Sequence, residues 1–430
     1  MAFAVFILVN ATLLIRPAEV VPALNSLPIY YILMVSGLAM TFGRLTEQVK
    51  WASLRENPIT ACVIGLLGMV ILSNLVRFDF PLLKESGIEF LKVVLYYLML
   101  VSVVTTPDRL RSFLKWLGFC ALVNATLALL QYHGYIDLPA LKVLERVDYD
   151  DEGQASVTLQ LRSVGIYNDP NDLCLILGTG FVIALYQVVE GRGVLRFLWI
   201  APLITFLYAL ILTRSRGGFL ALLISLFCLF VNRFGMKRAI PLGAVAACGL
   251  MVVSGGRQTE ISVGQGTAQE RMEKWKEGLI LFTHRPITGI GVWRYSEEVG
   301  LVAHNSYVHA YVEMGFPGGS LFVGLFYFAS EGLRARYYRN PRVRDPAFLR
   351  LRPYIVALIA GYGMGIFSLS RNYIVPTYVI FGMATAYHRI AANKLESLDF
   401  IVDHNQCRRL LFVSVGVLAA IKTFLLVASR

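Results

Sequence analysis

Residues 304–332 read HNSYVHAYVEMGFPGGSLFVGLFYFASEG. From Ser306 onward the run is apolar enough and long enough to cross ~30 Å of hydrocarbon, which takes about 20 helical residues. Asn305 or Ser306 can cap its start, because either side chain can accept from the unpaired N–H groups of a first turn. Ten residues in, at ~15 Å along the axis, the cluster Gly315, Pro317, Gly318 and Gly319 is predicted to break or kink the helix about halfway across. Glu313 lies inside this span, where an ionisable group is costly and calls for a functional or a backbone-bonding role.

The same kind of apolar run recurs along the whole chain. Spans are predicted at 2–15, 28–43, 58–76, 88–104, 112–132, 171–189, 195–213, 217–232, 238–254, 306–332, 354–370, 372–388 and 410–428. The first is short, and the last reads as a further span or an interfacial segment, so the count is twelve or thirteen. Composition agrees: 56 % of the 430 residues are hydrophobic and 16 % charged, against about a quarter charged in soluble domains, and mean hydropathy is +0.61. The fold class is therefore all-α, a polytopic membrane helical bundle forming a single membrane domain over 1–430. Met1–Ile15 lacks a basic n-region and a cleavage site and reads as the first span. Of six cysteines, none forms a C-x-x-C pair, so neither a disulfide framework nor a zinc site is indicated.

The net charge of +12 reflects topology rather than a nucleic-acid partner. Lysine and arginine gather in alternating loops, with Arg44, Lys50 and Arg55, then Arg109 and Arg111, then Arg233, Lys237 and Arg238, and a dense run from Arg334 to Arg352. By the positive-inside bias these loops are cytoplasmic. Two long loops, 133–170 and 255–305, then face outward, the first carrying the acidic run Asp148–Glu152, read as a solvated face. Arg162, Arg214, Arg216 and Arg371 also fall outside. They oppose the bias, and an anionic partner is the simplest reason for them.

Three constellations carry chemistry. In the outer loop, Thr267 and Glu270 have capping-box spacing, and Ala268, Met272, Trp275, Leu279 and Phe282 make one apolar face, predicting a short interfacial helix with Trp275 as its anchor. Arg271, in the first turn, reads either as a solvated charge beside Glu270 or as part of an anion site. Thr213-Arg214-Ser215-Arg216-Gly217-Gly218 opens a span. Its arginines either snorkel to headgroups or offer planar forks to phosphate. His304 stands at the mouth of the broken span, as an ordinary surface histidine or as a base for an incoming hydroxyl. Tyr307, His309 and Tyr311 either line the same entrance or are interfacial aromatics, and bonding the freed backbone groups at the break is the favoured role of Glu313.

In this order the pieces resemble the O-antigen ligase and Wzy-type polymerase superfamily of bacterial lipid-linked glycan transferases. The ligase pattern of His, then Asn, Ser or Gln, nine residues, Gly, two residues and a small residue is met by His304-Asn305, Gly315 and Gly318. The S-R-G-G element is met by Ser215–Gly218, the arginine–tryptophan pair by Arg271 and Trp275, and P-x-x-G-x-G by Pro286, Gly289 and Gly291. Asp169-Pro170-Asn171-Asp172-Leu173 resembles a helix start seen in many members. The motifs cover roughly 160–330.

The resemblance implies a GT-C-like enzyme of the bacterial inner membrane with its site facing the periplasm, working without a metal or cofactor. It implies an undecaprenyl-pyrophosphate-linked glycan as donor and lipid A-core as acceptor, with membrane lipids around it. It also implies an inverting displacement in which His304 is the general base and Arg216 and Arg271 hold the pyrophosphate. Arg214, Arg162, Asn305, Trp275 and Tyr307 are the further substrate-binding candidates. A polymerase, using a lipid-linked repeat unit as acceptor, is the alternative inside the family; a lipid-linked glycan flippase or transporter is the alternative outside it.

Overall fold

The computed structural model describes residues 1–24, 26–149, 155–253, 267–334, 345–394 and 403–428. Fourteen main helices follow in chain order. They are α1 Ala2–Ile15, α2 Ile29–Gln48, α3 Pro58–Leu75, α4 Phe80–Val103, α5 Pro107–Tyr132, α6 Pro170–Glu190, α7 Ile200–Thr213, α8 Arg216–Phe234, α9 Met236–Val253, α10 Thr267–His284, α11 Ser306–Gly332, α12 Arg352–Gly365, α13 Val375–Lys394 and α14 His404–Ala428. Each of the thirteen apolar runs read from the sequence holds one of these helices, and α10 is the extra one in the outer loop. Among the described residues ten helices are long and apolar enough to cross a membrane. α14, with a mean hydropathy of 2.4, is one of them, and Phe412 and Val427 on its surface are 70 % and 69 % exposed. An apolar exterior of this kind is what lipid solvates. The chain is a multi-pass α-helical membrane protein.

Helix starts follow local chemistry. Thr106 before Pro107 and Asp169 before Pro170 accept from backbone N–H groups of the first turn, where proline costs no hydrogen bond. Ser215 caps α8 by accepting from Gly218 N–H at 3.0 Å.

The chain divides into two compact units, residues 1–40, 106–260 and 345–365, and residues 41–105, 261–344 and 366–430. In the first, α8 lies along α12, where Ser225 Oγ donates to Ala357 O at 2.8 Å. A Cβ on Gly361 would stand 2.7 Å from that of Ser225, so only glycine lets the two helices approach so closely. Asn124 of α5 donates to Leu14 O at the end of α1, at 3.0 Å, and accepts from Ser163 Oγ at 2.9 Å. Within the predicted 133–170 loop the chain forms an antiparallel hairpin, β1 Leu144–Tyr149 with β2 Ala155–Gln160, Leu144 opposite Gln160. The Asp150–Glu152 part of the acidic run lies outside the described residues.

In the second unit α11 is the axis. Gly65 of α3 receives the Leu321 side chain. Tyr97 of α4 joins α3 and α13 by sharing hydrogen bonds with Thr60 at 3.0 Å and Thr385 at 2.9 Å. On α14, Ser414 meets Tyr311 at 2.5 Å and Ser320 at 2.7 Å. Buried hydroxyls in hydrocarbon must find partners, and here they find them across helices.

Candidate functional site

The break predicted in α11 falls at Gly315, whose φ of 69° and ψ of −173° are not helical. Breaking a helix frees carbonyls upstream and an N–H downstream, and burial requires partners for both. The main chain of residues 286–291 supplies them. Ile290 N–H donates to Val312 O at 2.9 Å and Gly291 N–H to Glu313 O at 3.1 Å, while Phe316 N–H donates to Pro286 O at 2.6 Å. The two glycines at the crossing are sterically matched. A Cβ on Gly289 would lie 2.3 Å from Glu313 O, and one on Gly315 2.4 Å from Ile287 O, both at positive φ. The P-x-x-G-x-G element and the Gly of the histidine pattern are thus two halves of one joint. Downstream, the bend lays the Tyr311 ring over Gly319 and Met314 over Gly318, so neither can carry a side chain there.

The freed backbone is therefore bonded by that loop, which corrects the favoured reading of Glu313. Its fully buried carboxylate does something else. One oxygen accepts from Tyr295 N–H at 3.2 Å and lies 2.9 Å from His309 Nε2, and the other accepts from Tyr373 OH at 2.8 Å. The carboxylate ties the 295 turn, α11 and the segment after α12 together. Burial first, then the neighbouring Glu313, pushes the Tyr295 and Tyr373 phenols well above their ordinary range, so both stay protonated and remain donors. His309 is 7 % exposed and is buried in this network, with Nδ1 unpartnered; it is not at an open mouth.

At the start of α11, Asn305 is the cap: its Oδ1 accepts from Tyr307 N–H at 3.0 Å and Val308 N–H at 3.2 Å. Its Nδ2 is buried and without a partner. His304, half-buried, precedes it in the left-handed region at φ 46°, a conformation costly for a residue with a Cβ. Hydrogen bonds hold the flanking residues. Trp275 Nε1 donates to Ala303 O at 2.5 Å, and Ser306 Oγ donates to Leu369 O at 2.7 Å while accepting from Arg371 N–H at 2.8 Å. Asn372 Nδ2 adds a bond to Ser306 O at 2.7 Å. Arg371, Asn372 and Tyr373 are the residues the sequence reading left out of the site. The surplus of outer-face arginine pointed at Arg371; nothing in the spacing pointed at the other two.

The helix expected around Arg271 is present as α10, but Trp275 is 6 % exposed and packs among Val308, Val312, Ile421 and Leu425. A side chain so enclosed cannot anchor in headgroups, so the anchor reading is corrected: Trp275 hitches α10 to the residue before His304. Arg271 is half-buried and is the fifth residue of α10, one residue further in than the capping-box spacing placed it. The Thr267 side chain of the capping box lies outside the described residues. Tyr307 packs against Phe322 and Phe326 at 5.8 and 5.6 Å between ring centroids.

In the first unit two motifs build one corner. Ser215 Oγ donates to Asn171 Oδ1 at 2.6 Å, and Gly218 leaves no room for a Cβ against Cys174. Arg214, at φ 54°, and Arg216, the first residue of α8, are both exposed. Arg162 donates from Nε to Lys142 O.

These features define a multi-pass membrane protein with a broken helix, a strained histidine at its head, and exposed arginines at helix starts. Residues 201–323 match the family described as O-antigen ligase. The match bears out the resemblance to the O-antigen ligase and Wzy-type family, includes every motif residue from Arg214 to Tyr307, and supports an O-antigen ligase or polymerase-like function. No curated protein matches the chain.

Proposed function

We propose that the protein is a membrane glycosyltransferase of the O-antigen ligase type. It moves a glycan from undecaprenyl pyrophosphate to lipid A-core at the periplasmic face of the inner membrane. The observation that carries the reading is the build of residues 303–306. A histidine is held in a strained conformation by bonds to the residues on both sides of it, beside the Arg371 backbone. Strain that the surroundings enforce is characteristic of functional positions, and a fixed imidazole suits proton transfer.

In this reading the His304 imidazole takes the proton of the acceptor hydroxyl as that oxygen bonds to the anomeric carbon. The bond from that carbon to pyrophosphate breaks on the opposite side, and the pyrophosphate leaves with the electron pair. Arg271, and Arg216 as the motif implies, meet the developing charge. Arg371 is a further candidate for that role, while Asn305 and Trp275 are assigned to positioning His304.

The test uses purified protein in detergent with a lipid-linked donor and lipid A-core. His304→Ala is expected to bind donor and lose transfer, and Arg271→Ala to lose donor affinity as well. Full transfer by folded His304→Ala removes the base assignment. Loss of all O-chain in a deletion strain supports the ligase; a single repeat left on the core supports the O-antigen polymerase; an unchanged lipopolysaccharide profile removes both and supports an exopolysaccharide polymerase.

A further inference from the structure

The turn between α3 and α4 docks on the turn that follows Gly291. Asn74, at the end of α3 and fully buried, donates from Nδ2 to Ser86 Oγ at 3.0 Å and to Val292 O at 3.3 Å. Asp79 caps α4 by accepting from Leu82 N–H at 3.1 Å, and its other oxygen pairs with Arg294. Arg294 is thereby fixed, yet its Nε is buried with no partner. Arg77 leaves the same turn half-buried. Its Nε is also buried and unpartnered, and among the described residues its guanidinium makes no ion pair. Neither does that of Arg285, which is exposed beside Pro286.

Burial depresses the Arg77 pKa, and the charges of Arg285 and Arg294 press it further down, with Glu298 opposing. Asp79 is already paired with Arg294, so Glu298 is the one further carboxylate whose charge offsets those of Arg285 and Arg294 at Arg77. Gathering like charge around half-buried donors is unfavourable unless an anion completes the arrangement.

We propose that Arg77, Arg285 and Arg294 form a binding site for a phosphoryl group, carried by a lipid headgroup or by a soluble phosphate compound. A tetrahedral phosphoryl group has enough acceptor oxygens for several forks at once, where a single carboxylate satisfies one. The backbone beside this site meets α11 below the end that His304 precedes. Gly291 N–H bonds Glu313 O, seven residues into α11, which is about 10 Å along its axis from the capped end.

The experiment uses the full chain in phosphatidylcholine nanodiscs, titrated with inorganic phosphate by calorimetry. A parallel sample contains phosphatidylglycerol, and retained lipid is read by native mass spectrometry. Wild type is expected to bind at least one probe. Phosphate alone identifies a soluble phosphoryl ligand, and phosphatidylglycerol alone a headgroup. Arg77→Gln/Arg285→Gln is expected to weaken binding by about ten-fold or more, the worth of a charge-assisted hydrogen bond. Arg77→Lys/Arg285→Lys, keeping charge without the fork, is expected to retain part of it. If the double Gln protein does not fold, Arg285→Gln, altering an exposed side chain, carries the comparison. Failure of wild type to bind either probe, or wild-type affinity in the Gln protein, overturns the proposal.

Discussion

Removing the Glu313 carboxylate should separate two readings of this residue by the size of the loss. In Glu313→Ala the Tyr295 N–H, His309 Nε2 and Tyr373 OH all lose the acceptor they share. Each buried donor left unpaired costs ~1–3 kcal/mol, partly offset because a buried carboxylate no longer has to be desolvated, so the net loss is about 3–5 kcal/mol. Glu313→Gln keeps an acceptor oxygen for Tyr295 and His309, and its amide can donate to Tyr373 once that hydroxyl turns to accept; the cost is about 1 kcal/mol. At roughly 2 °C per kcal/mol in a chain of this size, the alanine protein should lose about 6–10 °C of apparent Tm and the glutamine protein about 2 °C. Fluorescence-detected size exclusion after heating in one detergent reads both. The reasoning fails if the glutamine protein is as unstable as the alanine protein, because the charge rather than the acceptor set would then matter. It fails equally if alanine lowers Tm by less than the glutamine figure.

Trp275→Phe keeps most of the buried ring but strands Ala303 O, so ~1–3 kcal/mol of local stability is lost and transfer should fall while donor binding persists; transfer assays beside binding assays decide. Gly289→Ala and Gly315→Ala each drive a Cβ to within 2.3 or 2.4 Å of a carbonyl oxygen at positive φ, and either should reduce folded yield more than Gly416→Ala, where a Cβ meets open space. The Leu82 N–H bond, then Arg294, holds the Asp79 carboxyl below its usual range. A depressed folded pKa contributes stability above the unfolded value near 4 and loses it as pH falls through the folded value. Wild type should therefore exceed Asp79→Asn in apparent Tm at neutral pH and converge with it in acid; a constant difference from pH 7 to pH 3 would contradict this.

The spans were legible because the bilayer imposes one rule on every residue in it: a long apolar run must satisfy its own backbone. The same rule made the break at Gly315 legible, since proline and clustered glycine leave few other outcomes. What could not be read was which partner answers the broken turn. Pro286–Gly291 lies some 25 residues upstream in the chain, and its contribution is backbone N–H and C=O, which every residue type carries. Trp275 shows the same limit from the other side. An amphipathic helix with a tryptophan fits a lipid interface and a buried seam equally well by periodicity, and only the presence of α14 beside it decides. His304 was legible as a candidate through its neighbours in sequence, but its left-handed backbone was not, because a histidine carries no local signal for φ of 46°. The family pattern is thus two patterns superposed. Gly289, Gly291, Gly315 and Gly318 serve backbone and space at the break, while in the proposed mechanism His304 and the arginines handle the proton and the charge. Substitutions in the first set should act through folding, and substitutions in the second through transfer. A glycine variant that folds normally yet loses transfer would show that the joint itself moves during the reaction.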